Sequence, residues 1–95
     1  YVAVPAQAVV HKPAAFDLQE AAAYPTVSIA AWRYLVAAAG LQPGERVLVH
    51  GGAGGVGSMV VQMAKARGAW VAATASSRNH DHLRSLGADL VIDYT

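Results

Sequence analysis

Arg46-Val47-Leu48-Val49-His50-Gly51-Gly52-Ala53-Gly54-Gly55-Val56-Gly57 is the stretch on which the fold of this chain turns. Its first five residues are a short, β-branched run that predicts a strand, and the glycine cluster behind it predicts a tight turn. A helix is expected to follow to about Arg67, with Val56, Val60, Met63 and Ala64 on its buried face and Gly68 as its cap. Lys65 and Arg67 fall in its last turn, where cations suit the dipole. Gly52, Gly54 and Gly57 fit G-x-G-x-x-G between a strand and a helix, the context in which that spacing predicts a dinucleotide site. On this reading Gly52 turns the chain, Gly54 lets backbone approach a pyrophosphate, and Gly57 lets the helix pack closely. The N–H groups that open the helix, at Gly55 and Val56, then face the phosphates together with the positive end of the dipole. The competing reading is a glycine-rich turn with no ligand. A Walker A loop fits less well, because Ser58 stands where its lysine belongs.

Downstream, Trp70 to Ala75 reads as a second strand, Asn79 as the cap of a short helix carrying Leu83 and Leu86, and Gly87 as its stop. Leu90-Val91-Ile92 is a third strand. Strands alternating with helices over short loops imply an α/β fold with a parallel sheet and right-handed crossovers. Upstream, Val2-Ala3-Val4 and Ala8-Val9-Val10 read as brief strands or extended segments between prolines. Asp17 and Glu20 make a capping box for a helix that Pro25 should end or kink. A further helix is expected from about Val27 to Ala39, burying Ile29, Trp32 and Val36, with Gly40 beyond its end and Pro43-Gly44 turning into the first strand.

Ninety-five residues leave room for one domain, and 55% hydrophobic with 14% charged is far from the composition of a disordered tail. A net charge of +1 argues against a dedicated nucleic-acid binder. No apolar run approaches the ~20 residues of a membrane span. The absence of cysteine excludes a disulfide scaffold and thiolate metal sites, and fits a reducing, cytoplasmic setting. The chain opens on Tyr1 without a signal-peptide layout, and its low charge suggests faces meant to be covered. The expectation is a fragment.

Val47 to Gly57, then Leu86-Gly87-Ala88-Asp89 and Val91-Ile92-Asp93-Tyr94, together with Glu20 to Pro25 and Ala31-Trp32-Arg33, resemble the medium-chain dehydrogenase/reductase superfamily. The branch most similar is that of zinc-independent quinone oxidoreductases and enoyl reductases. The resemblance implies that residues 1–24 close a GroES-like catalytic domain, and that residues 25–95 are the first half of a Rossmann domain binding NADP. It implies a parent enzyme, a homodimer, that transfers hydride from NADPH to a quinone or an α,β-unsaturated carbonyl. A variant of the same chemistry is the enoyl reductase domain of a polyketide synthase, suggested by Thr74-Ala75-Ser76. A non-catalytic nucleotide-binding module is the reading from a different class.

An NAD-preferring site carries an acid about 20 residues after the glycine loop, at the end of the second strand. Here Thr74-Ala75-Ser76-Ser77-Arg78 stands at that point, and the first acid is Asp81. Hydroxyls with a guanidinium suit a 2′-phosphate, so Ser76, Ser77 and Arg78 are the expected selectors of NADP. An ordinary polar loop is the plainer alternative. Similarity to NADPH-dependent members aligns His80 with a basic position near that phosphate. It also sets Tyr94 near the adenine end, where the tyrosine could instead simply close the strand's edge.

His80 and His82, two apart, do not face one another on a helix, and His50 reads as a core or rim histidine, so no metal site is expected. Relatives of this type often carry a threonine before the Ala-Trp pair, near the nicotinamide. Ala30 stands there, and either Ser28 substitutes or the contact is missing. Asp17, Glu20 and Glu45 belong to caps and turns. The chain offers no catalytic acid or base.

Overall fold

The computed structural model describes residues 1–95. Three strands, β1 (Arg46–Val49), β2 (Trp70–Ala75) and β3 (Leu90–Asp93), form one parallel sheet in the order β1-β2-β3. Helix α2 (Gly55–Ala66) crosses from β1 to β2, and the short α3 (His80–Ser85) from β2 to β3. The register sets Val49 beside Ala73 and Ala73 beside Val91. Alternation along the strands puts these three on one face, and Leu48, Ala72, Leu90, Thr74 and Ile92 on the other.

The core lies on the first of these faces. Val49, Val71, Ala73 and Ala75 from the sheet meet Val60, Val61 and Ala64 from α2 and Leu83 from α3. Three of the strand and helix residues in this set, Ala73, Ala75 and Ala64, are alanine, which lets the helices sit close on the sheet. The expected face of α2 holds for Val60 and Ala64, with Val56 and Met63 half-buried at its margin. Val61, fully buried, was not expected there. The opposite face carries no helix, and leaves Leu48 54% and Leu90 45% exposed.

Asp17 and Glu20 form the expected capping box: Glu20 N–H donates to Asp17 Oδ1 at 2.8 Å and Asp17 N–H to Glu20 Oε2 at 3.0 Å. The helix they open, α1 (Leu18–Trp32), runs through Pro25 instead of ending there, and continues as a π-helical segment over Arg33–Ala38. An internal proline costs a helix about 3 kcal/mol, and packing of α1 along α2 outweighs it. The expected stripe of Ile29, Trp32 and Val36 is also corrected, with only Val36 packing half-buried against the core. Ala31 and Leu35 are the buried pair, while Ile29 and Trp32 are more than half exposed. The small Ala31 allows close approach to α2, and the π segment shifts the phase of the residues that follow. Gly40 does take the left-handed conformation beyond the helix, at φ +59°. Of the brief strands or extended segments expected before Pro13, no strand forms; that segment is exposed, with a 3₁₀ turn at Ala6–Ala8 and an extended backbone at Val9. Apolar residues alone do not make a strand without a neighbour to pair with. No helix is long and apolar enough to cross a membrane.

Candidate functional site

The glycine turn, the end of β2 and the end of β3 enclose an open cavity of about 320 Å³. Gly51, Ala53, Gly54, Ala75, Ser76, Asn79 and Tyr94 line it. It lies beyond the carboxyl ends of parallel strands, where open α/β sheets bind ligands. Of the residues singled out from sequence, it unites Gly54, Ser76 and Tyr94. Ser77 and Arg78 occupy the exposed 3₁₀ turn beside it, and their side chains do not line its wall.

Within the turn the glycines divide their work differently from expectation. Gly51, not Gly52, takes the left-handed conformation that reverses the chain, at φ +65°. Gly52 is a packing residue: a Cβ there would lie 2.9 Å from the Ala73 Cβ and 3.1 Å from a Leu83 methyl. At Gly57 a Cβ would overlap the Gly51 carbonyl, so the close approach is to the turn itself. Gly54 has an ordinary extended backbone at φ −75° and serves as the N-cap of α2 without a capping side chain. The first intrahelical bond, from Ser58 N–H to Gly54 O, is 2.8 Å long. Gly55, Val56 and Gly57 precede it, so their N–H groups are the free donors at the start of α2.

Thr74 holds the turn from below. Its hydroxyl accepts the Gly51 N–H at 3.1 Å, and its carbonyl accepts the Gly52 N–H at 2.9 Å. His50 Nδ1 lies 3.4 Å from the same hydroxyl. Thr74 is therefore turned into the glycine loop and not toward a phosphate at the strand's end. The imidazole of His50, expected in the core or at its rim, stands exposed. Sequence reasoning passed over this role because nothing in a strand's spacing tells which loop its hydroxyl will meet.

Asn79 stands at the N-cap of α3, as expected, but its side chain makes no capping bond and its amide donates to Ser76 Oγ at 3.2 Å, inside the cavity wall. His80 Nε2 is 3.2 Å from the Ala75 carbonyl, which can only accept, so that nitrogen carries a proton. The same nitrogen is 4.0 Å from Asp93 Oδ2. The ring is thus committed to the ends of β2 and β3. Asp93 is held below the usual carboxylate range, first by the Thr95 hydroxyl, then by the Thr95 N–H, with a smaller contribution from His80. No acid lines the cavity, and no cluster of three or more histidine, aspartate or glutamate side chains is gathered anywhere in the chain.

The arrangement offers free helix-start donors, a cavity at the sheet's carboxyl edge, and neutral amide and hydroxyl groups on its wall. That wall carries no carboxylate or imidazole. In comparisons with known proteins, the family model described as "Zinc-binding dehydrogenase" matches residues 55–95. The chain is 43% identical over 99 residues to the mitochondrial NAD(P)H oxidoreductase RTN4IP1 of Danio rerio, covering 100% of this chain and 26% of that protein. Among solved structures it is similar to the CurK enoyl reductase, with a TM-score of 0.85 at 43% identity over 88% of this chain and 25% of that one. It is also similar to mycobacterial Rv1454c complexed with NADPH, with a TM-score of 0.88 at 31% identity over 97% of this chain and 28% of that one. The chain spans about a quarter of the length of the curated relatives it matches.

Proposed function

Since this chain belongs to the medium-chain dehydrogenase/reductase superfamily, we propose that it is the part of an NADPH-dependent reductase that holds the dinucleotide. The observation that carries the reading is the cavity wall: Ser76 and its hydrogen-bonded partner Asn79 stand where an NAD-preferring site presents a carboxylate. The residues fit the group. The Gly55, Val56 and Gly57 N–H groups would take the pyrophosphate, and a side chain at Gly54 would crowd the mouth, its Cβ only 3.3 Å from the Gly51 carbonyl. Ser76 and Asn79, with Ser77 and Arg78 on the adjoining turn, would hold the 2′-phosphate, and Tyr94 would flank the adenine. Bound there, the nicotinamide supplies a hydride. This chain's own part is to bind and orient, since it places no acid or base at the cavity.

The acceptor in this reading is a quinone or an α,β-unsaturated carbonyl, the second in keeping with the likeness to an enoyl reductase. The reaction is read as zinc-independent, because His80 is committed to the Ala75 carbonyl and His50 stands beside Thr74. Residues 1–24 are assigned to the close of a GroES-like catalytic domain and residues 25–95 to a partial NADP-binding domain, a division that falls inside α1. A homodimeric parent and a cytoplasmic setting complete the proposal. Size-exclusion chromatography and cell fractionation address these two, the latter against the mitochondrial setting named for the relative from Danio rerio.

The test of the central reading is fluorescence titration of the full-length protein with NADPH and NADH. Tighter binding of NADPH supports it. Equal affinities, or no binding of either, overturn it.

A further inference from the structure

We propose that Thr74 is a positioning residue for the dinucleotide, one that fixes the glycine turn through its side chain without touching the ligand. The inference rests on the dinucleotide reading above and deepens it. Thr74 is 8% exposed, at the end of a strand whose neighbours Val71, Ala72, Ala73 and Ala75 are buried and apolar. A hydroxyl there needs partners, and it finds them in the turn: Gly51 N–H at 3.1 Å and His50 Nδ1 at 3.4 Å. Its own carbonyl takes the next N–H, that of Gly52, at 2.9 Å. Two successive amides of the turn are thus bonded to one residue of β2.

The consequence reaches the start of α2 by contact. With its N–H held by Thr74, Gly51 adopts φ +65° and directs its carbonyl toward α2. That carbonyl accepts the Gly54 N–H at 3.0 Å, and Gly57 packs against it too tightly for a Cβ. Gly54 is the N-cap of α2, so the free donors at Gly55, Val56 and Gly57 inherit their placement from Gly51. Thr74 therefore sets where the pyrophosphate would sit. The 2′-phosphate end is formed by other residues, Ser76 and Asn79.

Because the pyrophosphate is common to both dinucleotides, Thr74→Val in the full-length protein is expected to weaken NADPH and NADH together by up to roughly tenfold, the size of one part-buried hydrogen bond lost, with their ratio unchanged. Thr74→Ser, which keeps the hydroxyl, should restore most of the loss. In the wild-type protein without nucleotide, the Gly51 amide should exchange with solvent as slowly as the amides of β2. Normal binding by a folded Thr74→Val, failure of Thr74→Ser to recover, or fast exchange at Gly51 each overturn the role. The exchange measurement decides the matter even where Thr74→Val does not fold. Absence of binding by the wild-type protein removes the dinucleotide reading, and this role with it. Normal binding by Thr74→Val removes the role alone.

Discussion

Lys65 on α2 and Asp89 at the entry to β3 form a two-pronged ion pair, the ammonium lying 3.0 Å and 2.9 Å from the two carboxylate oxygens. The same carboxylate accepts the Val71 N–H at 2.7 Å, and Lys65 also donates to the Ala69 carbonyl at 3.2 Å. One acidic side chain thereby ties α2, β2 and β3 together at the end of the sheet away from the cavity. This gives the Leu86-Gly87-Ala88-Asp89 segment a physical purpose. Gly87, at φ +105° with Lys65 Cγ 3.0 Å from where a Cβ would be, turns the chain so that Asp89 arrives at the pair.

Asp89 is held below its ordinary value of 3.8, first by the Lys65 hydrogen bond and then by the Val71 N–H. A carboxyl lowered in the folded state contributes stability that is whole above its unfolded value and is lost as pH falls through the folded one. Asp89→Asn should therefore lower the thermal midpoint near neutrality, with the gap from wild type closing in acid. Circular dichroism melts across an acid titration measure this. A gap that stays constant into strong acid would contradict it.

The glycine turn gives a paired prediction. Gly57→Ala forces a methyl against the Gly51 carbonyl, and should cost about 1–3 kcal/mol as overpacking, with loss of dinucleotide binding. Gly55→Ala meets only a Val27 methyl at 3.5 Å and should be tolerated by the fold. Denaturant unfolding of both variants distinguishes them. Equal stabilities would mean that the turn yields more readily than its geometry indicates.

Cofactor choice should respond most strongly inside the cavity. Ser76→Asp restores the carboxylate of an NAD-preferring site, and should shift preference from NADPH toward NADH. Arg78→Ala, on the exposed turn, should cost NADPH affinity only about 1 kcal/mol or less, and leave NADH nearly unchanged. Titration of each variant with both dinucleotides reads the ratio directly. An unchanged ratio in Ser76→Asp would place the 2′-group elsewhere.

The sheet face bearing Leu48 and Leu90 carries no helix, although parallel sheets are normally covered on both faces. Expressed alone, residues 1–95 should self-associate through it. Leu48→Lys should shift the sedimentation profile toward monomer. A monodisperse wild-type chain would show that this face tolerates water.

What the sequence determined by itself was local. A β-branched run, a glycine cluster and a period of 3.6 specify β1, the turn and α2, because strand alternation, helix periodicity and glycine's freedom act over a few residues. The same holds for the capping box of Asp17 and Glu20, whose partners lie three residues apart. Both G-x-G-x-x-G and the lack of an acid after β2 could be read in the same way.

Only the tertiary structure decided which groups meet across long separations. It carried α1 through Pro25, because packing on α2 exceeds the proline's local cost. It buried Ala31 and Leu35 in place of Ile29 and Trp32, because a helix buries the face its neighbour can approach. Parallel pairing across a crossover helix brought Thr74 to Gly51, 23 positions away. It likewise brought Lys65 to Asp89, 24 positions away. A hydroxyl on a strand and a carboxylate in a turn carry no sign of their partners in the linear sequence. The sheet register supplies it.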